Sequence, residues 1–331
     1  MRIVLCYPIE PRHLAEIRAA AAGHEVVDAG QERIAAELLE ADIFCGHAKV
    51  PVPWDEVVQR RRLKWIQSSA AGLDHCLTPA TIASDIIVTS ASGLFADQVA
   101  EQTLALLLGI LRGLPTFLRA QQRREFIRRP TRDLAGATVG IVGLGGNGTR
   151  LAKVLQPFRV RVIATDMFTN QRPPGVAELW PAEHLDRLLA ESDVVILCVP
   201  LNAQTLGMIA APQLARMKGG AILINVARGQ VVVERDLVAA LQSGHLGGAG
   251  LDVTEVEPLP AESPLWDLPN VIITPHVGAQ SARRSDDTTH LVCDNLRRFF
   301  SGRPLLNLVD KQLGFPTPAA RTVGLAAHRS H

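Results

Sequence analysis

Three polar side chains stand just beyond apolar runs, at points where a chain leaves a strand and turns. His276 does so in Thr274-Pro275-His276-Val277-Gly278, and imidazole is the side chain that takes and gives a proton near neutral pH. Interconverting an alcohol and a ketone needs such a group. Glu257 lies on another strand-end loop, Glu255-Val256-Glu257-Pro258. Hydrogen-bonded to His276, its carboxylate would favour the imidazolium and keep an acid available for ketone reduction. Arg228 ends a buried strand in Asn225-Val226-Ala227-Arg228-Gly229. A planar guanidinium can hold a carboxylate and its neighbouring carbonyl together, and Gly229 would leave space for that approach. Taken singly, each has an ordinary reading: a surface arginine, a solvated loop acid, a structural histidine.

A seat for a hydride carrier lies upstream. The apolar run Thr138-Val139-Gly140-Ile141-Val142 leads into Gly143-Leu144-Gly145-Gly146-Asn147-Gly148, and a helix-like segment follows over 149–158. A strand, glycines at G-x-G-x-x-G spacing and a helix form the pyrophosphate seat of a dinucleotide. Gly143 allows the tight turn, Gly145 lets backbone approach the phosphates, and Gly148 lets the helix pack against the strand. The next strand-like run, Arg161-Val162-Ile163-Ala164-Thr165, ends in Asp166. That is roughly the 20-residue offset at which an acid binds the adenosine ribose hydroxyls. An acid there repels a ribose 2′-phosphate, and neither Met167 nor Phe168 offers a cation, so the pattern favours NAD over NADP. Arg172 is the residue that could spoil that argument.

These residues need elements to position them. Over the first hundred residues, strand signals at 3–6, 25–27, 43–45, 63–67 and 86–89 alternate with helix signals at 13–22 and 34–39 and after Pro53. A second series has strands at 138–142, 161–165, 193–199, 221–226, 247–253 and 271–274, a six-strand count, with helices at 182–191, 212–217 and 234–242. The alternation predicts an α/β chain with two doubly wound parallel-sheet domains. Ligands of such sheets bind beyond the carboxyl ends of the strands, where Asp166, Arg228, Asp252 and His276 all fall. A helix over 97–114, N-capped by Asp97, is apolar on nearly all sides and so expected to be buried between domains or subunits. A last helix over 281–300 returns to the first domain. The divisions expected are a discontinuous substrate domain, 1–98 with 285–310, an inserted dinucleotide domain, 99–284, and a loosely ordered tail, 311–331.

The chain's 331 residues suffice for about two domains. A net charge of +1 gives no field to recruit nucleic acid or an acidic membrane. The basic cluster Arg119, Arg123, Arg124, Arg128, Arg129 and Arg132 has no stacking aromatics or binding motif beside it, so it reads as a solvated helix end with acids nearby. Cys6, Cys45, Cys76, Cys198 and Cys293 are scattered, with no spacing for zinc or a disulfide framework. The chain opens on a strand, leaving no room for a signal peptide, and 104–110 is too short an apolar run to span a bilayer. A reducing cytoplasm is the expected compartment.

In chain order, Gly143–Gly148, Asn225–Gly229, Gly250-Leu251-Asp252-Val253 with Glu257-Pro258, and Thr274–Gly278 resemble the D-isomer-specific 2-hydroxyacid dehydrogenases. Val99-Ala100-Glu101, Ser192-Asp193-Val194-Val195 and Val199-Pro200-Leu201 fit as well, and the resemblance covers about 1–310. It implies a Rossmann NAD-binding domain inserted into a flavodoxin-like domain, a homodimer built on the former, and a small 2-keto acid substrate such as glyoxylate, hydroxypyruvate or pyruvate. By resemblance, Arg228 binds the substrate, His276 is the acid/base and Glu257 orients it. Backbone at Ala70, Ala71 and Gly72 would hold the substrate carboxylate. Gly146 and Asn147 would cover the pyrophosphate and Asp166 the ribose. Cys198, Pro200 and Thr205 would border the adenosine region. Val226, Ala227, Asp252 and Gly278 would lie toward the nicotinamide, with Asp252 at its carboxamide.

Five positions depart from or refine the pattern. Gln102 and Cys198 each replace a histidine common in the family. His47 and Ser68 stand where 3-phosphoglycerate dehydrogenases use phosphate-binding arginines, which disfavours that alternative. Glu257, where formate dehydrogenases carry glutamine, argues against formate. An NAD(H)-sensing binding protein, like the corepressors sharing this fold, is the alternative of another class, since those proteins keep the same three residues.

Overall fold

The computed structural model describes residues 1–320. Its chain forms two compact units, one holding 1–95 and the chain from 281 onward, the other 96–280. These divisions fall a few residues before the expected ones.

The first unit is built on β1 (Arg2–Cys6), β2 (Glu25–Asp28), β3 (Ile43–Gly46), β4 (Trp65–Ser68) and β5 (Ile87–Thr89). They pair in the order β2-β1-β3-β4-β5, all parallel, the flavodoxin-like order. The connections carry α1 (Pro11–Ala20), α2 (Gly30–Glu37), α3 (Trp54–Gln59) and α4 (Pro79–Ala83). The central strands are largely buried because both faces are covered. Val4, Cys6, Phe44 and Ile66 enter one core, while Ile3, Leu5, Ile43, Cys45 and Trp65 enter the other.

The second unit begins with α5 (Ala96–Leu111) and α6 (Leu114–Gln122). The helix expected over 97–114 therefore stops early, and the two axes meet at 71°. Gly113, at φ +69°, ends the first helix in the left-handed region, and Pro115 opens the second. Asp97 lies inside the first turn and is not the N-cap; its carboxylate pairs with Arg150. The buried stripe of α5, including Val99, Thr103, Leu106 and Leu107, is covered largely by this unit's own sheet and helices.

There follow β6 (Thr138–Val142), α7 (Gly146–Leu155), β7 (Arg161–Asp166), β8 (Glu178–Pro181), α8 (Leu185–Glu191), β9 (Val194–Leu197), α9 (Ala211–Arg216), β10 (Ala221–Asn225), α10 (Glu234–Gln242), β11 (Leu246–Leu251) and β12 (Val271–Ile273). The sheet order is β12-β11-β10-β9-β6-β7-β8, again all parallel. Seven strands replace the six expected. The missed one, β8, is an edge strand that buries only Trp180 and ends in proline, so its sequence carries almost no strand signal. Chain order reverses between β6 and β9, the switch point where such sheets bind ligands.

The last helix, α11 (Arg284–Phe300), packs on α1, where buried His13 meets Asp286 at 2.6 Å. Asn295 donates from Nδ2 to Gln67 Oε1 (2.6 Å), an oxygen that also accepts from Thr89 Oγ1 (2.8 Å). This ties α11 to the ends of β4 and β5. The segment 311–320 is not loose as expected. Lys311 Nζ donates to the carbonyls of Thr81 and Ser84, and Asp310 pairs with Phe315; the rest of the expected tail, 321–331, lies outside the described residues. Within the arginine cluster, Arg119 and Arg132 donate to the Leu268 and Gly220 carbonyls and Arg123 pairs with Glu125, so backbone supplies most of the partners expected to be acids. Among the described residues no single helix is long and apolar enough to cross a membrane.

All five cysteines are free thiols, four of them buried. Burial pushes Cys6 and Cys293 up to about 11 and Cys198 up to about 12, and raises Cys45 and Cys76 further. Ellman's reagent at pH 8 should therefore label the native protein about 100-fold more slowly than a free thiol, reaching all five cysteines only in denaturant. Rapid labelling of any native thiol would contradict this burial.

Candidate active site

The glycine turn follows β6 directly. Gly143 adopts φ +96°, and its N–H donates to the Thr165 carbonyl (2.8 Å). A Cβ on Gly148 would lie 2.1 Å from the Gly143 carbonyl oxygen, so only glycine lets α7 press onto the turn. The N-cap, Gly145, is extended and carries no capping side chain. The first-turn N–H groups, at Gly146 and Asn147, thus present an uncapped helix start suited to an anion. This cradle fits a dinucleotide pyrophosphate.

Asp166 ends β7 beside the cradle. Its carboxylate accepts from Leu144 N (2.6 Å) and Phe168 N (2.8 Å), which fixes its orientation and leaves lone pairs for ribose hydroxyls. Arg172 turns back on its own loop, donating to the carbonyls of Val176 and Ala177. Cys198 follows β9, and its backbone lies where a Cβ on Gly143 would touch it (3.0 Å). Thr205 is less available than expected: its hydroxyl donates to the Pro200 carbonyl (2.6 Å), tying the Pro200–Thr205 turn together.

Arg228 sits three residues past β10 on a turn folded by Asn225. Asn225 Nδ2 donates to the Arg228 carbonyl (3.0 Å), and its Oδ1 accepts from Ala227 N (3.0 Å). The Arg228 side chain is half-buried and donates from Nη1 to the Ala227 carbonyl (2.8 Å). Val226 and Ala227 pack into the core beneath. Gly229 also has a structural reason to be glycine. A Cβ there would lie 1.7 Å from the Thr254 carbonyl oxygen, so the glycine admits the neighbouring loop. That loop carries Glu257, whose Oε1 accepts from Thr254 N (3.3 Å).

His276 Nδ1 lies 2.8 Å from Glu257 Oε2. An ionised carboxylate only accepts, so Nδ1 carries the proton and Nε2 is left for chemistry. The two side chains are 45% and 39% exposed, which makes the pair a matter of orientation and access rather than stability. The loop itself is held by Asp252, only 3% exposed. Its carboxylate accepts from Thr274 Oγ1 (2.7 Å), Val277 N (3.0 Å) and Gly278 N (2.8 Å), and its carbonyl from His276 N (2.7 Å). Gly278 thus gives its N–H to Asp252, not to a ligand. Thr274 and Asn225 hold these turns, a role that sequence reasoning, which quoted them only inside motifs, did not give them.

In the first unit, Ala70, Ala71 and Gly72 form the turn after β4. The N–H of Ala70 donates to Ser68 Oγ (3.0 Å) and that of Ser69 to the Gly46 carbonyl (3.1 Å). Of the expected carboxylate donors, Ala71 and Gly72 have no such internal acceptor among the described residues. His47 stacks on His75 with ring centroids 4.0 Å apart, and Ser68 is fully buried. Among the described residues no group of three or more His, Cys, Asp or Glu could hold a metal ion.

Fold and site together define a dinucleotide-dependent oxidoreductase acting on CH–OH groups. The chain belongs to the D-isomer specific 2-hydroxyacid dehydrogenases: the model of that family's NAD binding domain matches 104–278. It is 34% identical over 267 residues to the glycerate dehydrogenase of Methylorubrum extorquens, covering 77% of this chain and 82% of that one. It is 35% identical over 259 residues to the glyoxylate reductase of Thermofilum pendens, covering 76% of each. The crystal structure of an NADPH-dependent glyoxylate/hydroxypyruvate reductase from Sinorhizobium meliloti, in complex with NADP and sulfate, superposes with a TM-score of 0.79 at 31% identity. It covers 95% of this chain and 99% of that one.

Replacing Gly148 by alanine should separate α7 from the turn, costing about 1–3 kcal/mol and weakening NADH binding. A thermal melt and a fluorescence titration check both; unchanged values would mean the close approach is dispensable.

Proposed function

We propose that the protein catalyses reversible hydride transfer between NAD(H) and a small 2-keto acid of the glyoxylate, hydroxypyruvate or pyruvate kind. One observation carries the reading. An imidazole oriented by a carboxylate stands half-exposed beyond the strand ends that also present Arg228 and the glycine cradle. When bound, the dinucleotide supplies the hydride that reaches substrate C2. His276 Nε2 gives its proton to the carbonyl oxygen as the alcohol forms and takes it back in the reverse direction. Glu257 holds the ring, and its carboxylate balances the imidazolium charge. Arg228 pairs with the substrate carboxylate and polarises the carbonyl.

A phosphorylated substrate is the poorer fit, since His47 and Ser68 supply no guanidinium. NAD is preferred over NADP because Asp166 meets the ribose while Arg172 is turned to its own backbone. The relative from Sinorhizobium is NADPH-dependent, so the preference rests on these two residues alone. The assembly is a homodimer through the second unit, where Leu114 and Leu118 on α6 and the nearby Phe126 are exposed. Five free thiols suit a reducing cytoplasm.

His276→Ala should lower kcat by about 10²–10⁴-fold, and Arg228→Ala should lower kcat/KM for keto acids by about 100-fold or more. NADH affinity should survive in both, as read by fluorescence; near-normal turnover without the imidazole would overturn the acid/base assignment. A panel of 2-keto acids followed by NADH loss identifies the substrate. With NADPH in place of NADH, kcat/KM should drop, and Asp166→Ser should narrow the gap. Equal kcat/KM for the two coenzymes in the unaltered protein would sink the NAD preference.

A further inference from the structure

Gln102 lies on α5, and none of the roles described so far uses it. Its Nε2 lies 2.8 Å from Thr274 Oγ1. That hydroxyl reaches Asp252 Oδ1 at 2.7 Å, and the same carboxylate collects the N–H groups of Val277 and Gly278. All of these residues belong to the second unit. The direction of the chain follows from donor chemistry. Asp252 can only accept, so Thr274 must give it its single hydroxyl proton. Thr274 Oγ1 is then left to accept, and Gln102 must present its NH2.

We infer that Gln102 is a positioning residue for proton transfer, holding the His276 loop through Thr274 and Asp252. The inference rests on the reading of His276 as the acid/base. His276 sits at φ +54°, a region that non-glycine residues occupy only when their surroundings impose it. What imposes it is the set of bonds to Asp252 on either side of the histidine. Packing there is close: a Cβ on Gly278 would lie 2.8 Å from Asp252 Oδ2 and 3.7 Å from Gln102 Cγ. Without the amide donor, the Thr274 hydroxyl is no longer locked onto Oδ1. The carboxylate can then rotate, and the backbone at 276–278 loses its fixed acceptors. A small displacement of the ring is enough to cost turnover, because proton transfer demands alignment with the substrate oxygen.

Three variants of the full chain test this with NADH and the 2-keto acid that the unaltered protein reduces best. Gln102→Leu removes the donor. Gln102→Glu keeps the shape but cannot donate when ionised, and puts a second negative charge one hydroxyl away from Asp252. Gln102→His restores a ring N–H. In the leucine and glutamate variants kcat should fall about tenfold and its solvent deuterium isotope effect should rise, with the Kd for NADH within about threefold of normal. The histidine variant should recover kcat to within about threefold. The inference is overturned if the leucine and glutamate variants keep kcat within about twofold, if their isotope effect does not change, or if histidine fails to rescue while its thermal midpoint is normal. An unaltered protein that binds NADH yet reduces no acid in the panel strikes the functional reading itself, and the inference with it.

Discussion

A buried carboxylate organises the candidate site. Asp252 ends β11 with almost no exposure, and a charge in that position must be compensated by donors close at hand. Three of them come from one short stretch of chain, the Thr274 hydroxyl and the N–H groups of Val277 and Gly278. Satisfying the charge therefore fixes the path of the loop after β12, and the loop fixes His276. The histidine then needs only Glu257 to set its tautomer. Electrostatic necessity in the interior thus becomes geometric precision at a half-exposed ring.

Close approach of one backbone to another is the second constraint. Gly148 admits the Gly143 carbonyl, and Gly229 admits that of Thr254, at separations no side chain would tolerate. The first contact shapes an uncapped helix start into an anion cradle at the switch point between β6 and β9. The second brings the Arg228 turn against the loop that carries Glu257. Because every strand in this sheet is parallel, these turns all lie beyond the same edge. Residues more than a hundred positions apart in sequence can then act on one small molecule.

Several polar residues that look like ligand contacts are engaged in building the site. Thr205 closes its own turn, Gly278 serves Asp252, and the Ala70 N–H is taken by Ser68. Among the described residues, the half-exposed His276 and Glu257, the uncapped first turn of α7 and the lone pairs remaining on Asp166 face outward from that framework. That division between scaffold and working surface separates interactions made for stability from those made for chemistry.

Much of this was legible in the sequence. Apolar runs alternating with helical periodicity announced two parallel sheets, and the spacing of Gly143, Gly145, Gly148 and Asp166 announced the dinucleotide domain. Both are local signals, carried by residues that are neighbours along the chain. Where punctuation was overlooked, as at Gly113 and Pro115, the expected helix ran past its true end. Strand β8 escaped because a single buried tryptophan makes no pattern. Other features were decided only by tertiary structure. Nothing in the chain order says that Gly229 faces Thr254, that Asp252 bonds the loop of His276, or that Arg172 turns away from Asp166. These depend on which surfaces meet once the sheet has formed, and on donors and acceptors finding partners at distances that periodicity does not encode. The types of residue able to do the chemistry were written in the sequence, whereas their alignment came from burying a charge and pressing backbones together.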